Sequence, residues 1–196
     1  MSYHHGDLRE ALIAATREEL TEKGPDGLSL RAVARRAGVS RSAPYHHFDG
    51  KGDLLARVAE HGYRELVTSI HDALAEADDD VEARLVATGM GYIRFALADP
   101  TTFKLMFQRE YVDPSEDDAL REAADASFAT LVDAIEDVHR AHGHQDRSAI
   151  PDAVLAWSTV HGFATLAVEG ALGWFGDDIE ALADSVAQRL SPLFAT

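Results

Sequence analysis

The chain contains no cysteine among its 196 residues. Disulfides, thiolate metal sites and cysteine nucleophiles are therefore excluded. It has no apolar run approaching the ~20 residues that span a bilayer. No secretory signal precedes the first helical pattern, so a soluble, cytoplasmic protein is expected. Strand-type alternation, internal repeats and low-complexity segments are also lacking. There is no Gly-x-Ser-x-Gly, no glycine-rich phosphate loop and no His-Glu-x-x-His, and no nucleophile stands in a triad context. No catalytic residue and no enzyme activity are expected. His139, His142 and His144 lie with Asp137 and Asp146 around Gly143. These are metal-ligating residue types, but the cluster reads as a solvated helix end. No metal and no other cofactor is expected.

Positive charge is also in short supply. Lysine and arginine number 18 against 34 aspartates and glutamates, a formal net charge of -16. Against that deficit, residues 27–48 stand out because they contain no acidic side chain. Arg31, Arg35, Arg36 and Arg41 are the formal charges between Asp26 and Asp49, and Lys51 follows directly. An acidic protein that keeps one short segment free of carboxylates presents it to a polyanion, and duplex DNA is the candidate. The first 52 residues carry eight basic and seven acidic side chains, a net of +1, which leaves -17 for residues 53–196. That body would be repelled by DNA and would turn the N-terminal head toward it.

The run reads as two short helices and a tight turn. Ser29 suits an N-cap. Leu30, Val33, Ala34 and Ala37 fall at i, i+3, i+4 and i+7, one apolar stripe. Gly38 can take the positive φ that ends a helix. Ser40 can cap the next helix, from Arg41 to about His47, with Tyr45 and Phe48 as its anchors. Pro44 is tolerated only in a first turn. That helix is therefore short or begins nearer Ala43, which leaves open which of Arg41, Ser42 and Ala43 faces a base edge.

The rest is helical throughout. Asp7 with Glu10 resembles a capping box that opens a helix to about Lys23, and Gly24-Pro25-Asp26-Gly27 forms a turn. Further helices are expected at 53–77, 81–98, 100 to about 111, 117–141, 148–174 and 177–193, with Asp80 a cap. The fold class is all-α: a three-helix helix-turn-helix head and a C-terminal helical bundle, about nine helices in all. The head covers residues 1–52, extending to about 60 into a connecting helix. Residues 53–196 form the second domain.

The stretch Leu30-Arg31-Ala32-Val33-Ala34-Arg35-Arg36-Ala37-Gly38-Val39-Ser40, with Tyr45-His46-His47-Phe48, Lys51 and Leu54-Leu55, closely resembles the DNA-binding signature of the TetR family of transcriptional regulators. The opening Tyr3-His4-His5-Gly6-Asp7-Leu8-Arg9 is typical of many members. Trp157, His161 and Gly162 resemble a C-terminal domain named for a Trp-His-Gly motif. The resemblance implies a ligand-responsive regulator, most often a repressor. It implies that Arg41, Ser42 and Ala43, beside Pro44, enter the major groove. Ser29, Arg31, Ser40, Tyr45, His46 and Lys51 would hold phosphates. It also implies a small-molecule effector in the bundle, lined by Tyr92, Phe95, Phe103, Met106, Phe107, Trp157 and His161; taken singly, each of these residues also fits a core position.

The last two helices carry more apolar surface than one small bundle needs: Val154, Leu155, Val160, Leu166, Val168, Leu172, Trp174, Phe175, Ile179, Leu182, Val186 and Leu190. The resemblance makes them a homodimer interface. A two-fold dimer would read a pseudo-palindromic operator with half-sites about one turn (~34 Å) apart. The alternative is a helical small-molecule binding protein whose head no longer reads DNA.

Overall fold

The protein's computed structural model describes residues 5–176 and 178–195, with side chains from Leu8 onward. Eight α-helices follow one another, and no strand occurs among the described residues: α1 His5–Gly27, α2 Leu30–Arg36, α3 Lys51–Glu76, α4 Val81–Ala98, α5 Pro100–Met106, α6 Asp118–Ala141, α7 Ile150–Val168 and α8 Ile179–Leu190. The ninth expected helix, the recognition helix, is a four-residue 3-10 turn, Ala43–His46. The chain divides into two compact units. The first comprises Met1–Tyr63 and Thr101–Ala124, the second Arg64–Pro100 and Asp125–Thr196. The helices α3 and α6 each contribute to both.

Local chemistry fixes most boundaries. The Ser29 hydroxyl accepts from Ala32 N–H at 3.3 Å and caps α2. Asp80 accepts from Ala83 N–H at 3.0 Å and caps α4, and Asp117 accepts from Leu120 N–H at 2.9 Å at the start of α6. Each satisfies one of the donors that a helix N-terminus leaves free. Several expected ends move. The first helix begins at His5, so Asp7 lies inside it and not at its cap; the Asp7 side chain is outside the described residues, as are Tyr3 and His4. α1 bends at Gly24-Pro25 within its last turns. α5 stops at Met106 rather than near Tyr111, and α7 stops at Val168 rather than Trp174 because the chain reverses through Gly170 at φ 73°. α8 ends at Leu190, and Pro192 sits in a 3-10 turn, Ser191–Phe194. Asp177, expected to open α8, lies outside the described residues.

Unit one is built on the buried face of α1 (Leu12, Ile13, Ala15, Leu20), the α2 stripe (Leu30, Val33, Ala34), Phe48, and the start of α3 (Leu54, Leu55, Val58). Its charged interior is held by Arg57, which bonds Glu60 and the cap residue Asp117. In unit two, α4 lies against α7, and Leu85, Ile135, Val138, Ala153, Ala156 and Phe194 form one apolar cluster.

The histidine cluster departs from expectation. His139 is fully buried rather than solvated, and its Nε2 lies 2.9 Å from Asp152, which also pairs with Arg147. His142 pairs with Glu82 at 2.6 Å. Among the described residues no three His, Asp or Glu side chains gather as a metal site, and no helix is long and apolar enough to cross a membrane.

Candidate DNA interface and effector site

The head is assembled around one turn. α2 ends at Arg36, and Gly38 takes φ 69°, which a side chain with a Cβ disfavours. Gly38 N–H reaches Arg35 O and Val39 N–H reaches Ala34 O at 3.0 Å, closing the helix end. Ser40, Arg41 and Ser42 then form a turn, with Ala43 N–H bonded to Ser40 O. Ser40 does not cap an α-helix; its hydroxyl meets the Ser42 hydroxyl at 3.2 Å. Pro44 sits in the first turn of the 3-10 element, where its missing N–H costs nothing. Tight 3-10 winding suits so short a piece.

This element has a buried side and an exposed side. Pro44 and Phe48 are buried, and Phe48 N–H bonds Pro44 O at 2.9 Å. Tyr45, expected as an anchor beside Phe48, is 59% exposed, and Pro44 packs inward in its place. Arg31, Arg35, Ser40, Arg41, Ser42 and His46 are exposed as well, while Ser29 is spent on its cap. Lys51, at the first turn of α3, donates to Asp26 O at 3.3 Å. The structure adds Arg9, whose guanidinium lies 5.8 Å above the Phe48 ring. Nothing in local spacing links position 9 to position 48.

Arg36 behaves unlike its neighbours. It turns back onto α1, bonding Glu19 at 2.8 Å, Glu18 at 3.1 Å and Glu22 at 2.5 Å. Glu19 is 1% exposed and is shared with Lys23. The Lys23 bond, aided by Arg36 and opposed by burial, holds the Glu19 carboxyl below its ordinary range. Arg36 thus clamps α2 to α1, and Arg31, Arg35 and Arg41 are left to face outward. A prediction separates these roles. Arg36→Ala should lower the melting temperature and DNA affinity while leaving the slope of log affinity against log salt unchanged. Arg31→Ala should lower that slope by about one and leave stability unaltered. Equal slopes for the two variants would contradict the division.

The seven residues expected around an effector fall into two groups. Phe103 and Met106 are buried in unit one. There Phe103 meets Phe107 edge-on at 5.4 Å and Phe107 meets Tyr63 at 6.2 Å. Tyr63 donates to Met106 O at 3.3 Å, and burial pushes its phenol up to about 12. Tyr111 donates to Asp26 at 2.9 Å, also within unit one. Tyr92, Phe95, Trp157 and His161 lie in unit two. The Tyr92 hydroxyl is 2.8 Å from His161 Nδ1. Trp157 lies 5.9 Å from the His161 ring and 5.9 Å from Phe128. Burial pushes the His161 pKa below its ordinary value, so the ring is neutral at pH 7. Phe128 carries no sequence signal, because its partner stands on another helix, far along the chain.

A helical head that presents an acid-free turn of arginines and a 3-10 element with a tyrosine and a histidine on its outer side defines a helix-turn-helix DNA-binding protein. The family of bacterial regulatory proteins named for tetR matches residues 12–58, and the tetracyclin repressor-like C-terminal domain matches residues 85–190. The chain belongs to the tetR family and is a DNA-binding transcriptional regulator. Regulators of this family bind operator DNA and small-molecule effectors and function as dimers.

Over 181 residues it is 26% identical to the transcriptional activator FasR of Mycolicibacterium smegmatis, covering 92% of this chain and 78% of that one. Over 195 residues it is 24% identical to the transcriptional regulator YobS of Bacillus subtilis, covering 98% and 96%. A protein of unknown function from Rhodococcus sp. RHA1 superimposes with a TM-score of 0.86 at 33% identity over the whole of both chains. The TetR family regulator PfmR of Thermus thermophilus shares the fold, with a TM-score of 0.69 at 19% identity over 92% of this chain and 97% of that one.

Proposed function

We propose that the protein is a cytoplasmic, homodimeric repressor that leaves a pseudo-palindromic operator when a small molecule binds its C-terminal part, and that it has no enzymatic activity. The observation that carries the DNA-reading half is the outward display of Arg31, Arg35, Arg41, Tyr45 and His46 around the Gly38 turn, with Arg36 withdrawn into the head. Arg41, Ser42 and Ala43, the turn ahead of Pro44, are assigned to the major groove. Ser29, Arg31, Ser40, Tyr45, His46 and Lys51 are assigned to phosphates. The domain from about residue 53 onward is assigned to effector binding and dimerisation, with its Trp157, His161 and Gly162 in the Trp-His-Gly style.

Dimerisation is assigned to α7 and α8. Val154, Leu155 and Leu166 on α7 are exposed, and Trp174 and Phe175 in the following 3-10 turn are 92% and 74% exposed. Large exposed apolar side chains on α7 and in the turn that follows suit an interface. The effector is assigned to the neighbourhood of Tyr92, Phe95, Trp157 and His161 in unit two. A displacement of α3, which begins at the head and continues into unit two, is the route by which the effector would alter the spacing of the two recognition turns. The relative FasR is named an activator, so the sign of the response is part of the proposal and not of the family assignment.

Arg41→Ala tests the base-reading assignment. It should weaken specific binding by about 1–3 kcal/mol and relax preference at one position of a motif selected from random DNA. An unchanged affinity and an unchanged motif would remove Arg41 from the groove. Random DNA that yields no motif at all would favour the alternative of a small-molecule binding protein with a silent head.

A further inference from the structure

We propose that unit two carries a binding site for an amphipathic organic ammonium ion, in a groove whose walls include none of the residues assigned above to the effector. The groove lies between the end of α3, the face of α4 from Glu82 to Arg94, and α8 with its following 3-10 turn. Its volume is about 570 Å³, within the range of small-molecule sites. The floor is apolar: Ala73, Ala87 and Met90 are buried there. The rim is acidic. Glu76, Asp78, Glu82 and Asp184 line it against a single guanidinium, Arg94, and four carboxylates against one cation leave a net of -3 with histidine neutral; of the four, Glu82 also meets His142 at 2.6 Å. Arg94 is already held by Glu76 at 2.9 Å. Asp184 accepts from a neutral amide of its own helix, that of Gln188, at 2.7 Å. The local field therefore favours a cation over a neutral or anionic guest.

A second, independent feature points the same way. Ser191 lines the groove, is 4% exposed, and its hydroxyl has no hydrogen-bond partner. A buried hydroxyl left unpaired is unfavourable. A guest that brings an N–H donor satisfies its oxygen, while the carboxylates balance the charge and Met90 takes the hydrocarbon. Methionine suits such a floor, since its unbranched side chain adapts to irregular guests. A protonated amine on a short apolar body combines all three properties.

The test reads binding alone and needs no DNA, so its failure is distinct from failure of the regulator reading. The chain has three methionines, Met1, Met90 and Met106. Met90 lines the groove and Met106 lies in unit one. With methyl-13C-methionine in the full-length protein, titration with 2-phenylethylammonium at pH 7 should move the Met90 signal saturably and leave Met106 in place. The uncharged analogue 2-phenylethanol should not saturate. Glu82→Gln with Asp184→Asn should weaken binding about tenfold, Ser191→Ala should weaken it severalfold, and Arg94→Gln should tighten it. Opposite responses from neighbouring substitutions cannot arise from misfolding. A Met90 signal that stays fixed, a Met106 signal that moves with it, equal binding of the alcohol, or an acid-removal variant that binds like the wild type would each overturn the proposal.

Discussion

Gly91→Ala lowers the stability of unit two by about 3 kcal/mol, or a melting temperature about 10 °C lower in a chain of this size. A Cβ at residue 91 would stand 2.5 Å from Ile70 Cα and 2.7 Å from Ser69 O. Both are backbone atoms of α3, so no side chain can swing aside to make room. The same crossing is fastened by the Ser69 hydroxyl, which donates to Gly91 O at 2.8 Å. To admit a methyl group, α4 must move away from α3, and the bond and the buried contacts of Ile70 and Ile93 loosen with it. Gly89 supplies the comparison. A Cβ there meets only Val160 Cγ2 at 3.4 Å, and alanine also favours the helix. Gly89→Ala should leave stability unchanged or slightly raise it. The check is thermal and urea unfolding of both variants by circular dichroism. If Gly91→Ala melts with the wild type, α3 and α4 do not cross as closely as described.

Phe48→Ala is expected to destabilise the head by about 3–4 kcal/mol and to abolish specific DNA binding. Phe48 is 2% exposed, closes the recognition turn through its N–H to Pro44 O, and carries the Arg9 guanidinium above its ring. Truncation leaves a cavity beneath the residues that present Arg41 and Tyr45. Tyr45→Ala gives the opposite pattern. Tyr45 projects outward, so its loss should change stability by no more than about 0.5 kcal/mol and still weaken DNA binding. Proteolysis within residues 1–60, read beside DNA affinity, separates the two. Equal loss of stability in both variants would mean that Tyr45 is a core anchor after all.

The contrast between Phe48 and Tyr45 marks what the sequence reveals and what it does not. Features set by a few neighbouring residues are legible in it. Ser29 and Asp80 are caps because their side chains accept from the N–H three residues further on, Gly38 turns because its φ demands it, and Pro44 shortens the recognition element to 3-10 winding. The acid-free run 27–48 points to the DNA-facing surface, and the family matches bear out the regulator and the all-α fold.

Features set by packing between distant helices are not legible. Arg36 stands in the same basic run as Arg35, and only the position of α1 shows that it is a clamp. His139 has the sequence setting of a surface residue at a helix end, yet Asp152 lies across from it in the core. The expected effector residues share aromatic character along the chain, but Phe103, Met106 and Phe107 pack with Tyr63 while Tyr92 and Trp157 gather at His161. Beyond α7, Ala171 and Leu172 continue an apolar pattern toward Trp174 that Gly170 has already broken. The groove beside Met90 leaves no sequence signal, since its carboxylates look like any others on so acidic a chain.

The measurement that tests the central claim most directly is fluorescence anisotropy of the purified protein with DNA from upstream of its own gene, against scrambled competitor, near physiological salt. A regulator that reads DNA through Arg41 and its neighbours should bind one such segment about a thousandfold or more tighter than scrambled sequence, with affinity falling steeply as salt rises. Equal, weak binding to every sequence, there and in a selection from random DNA, would contradict the account.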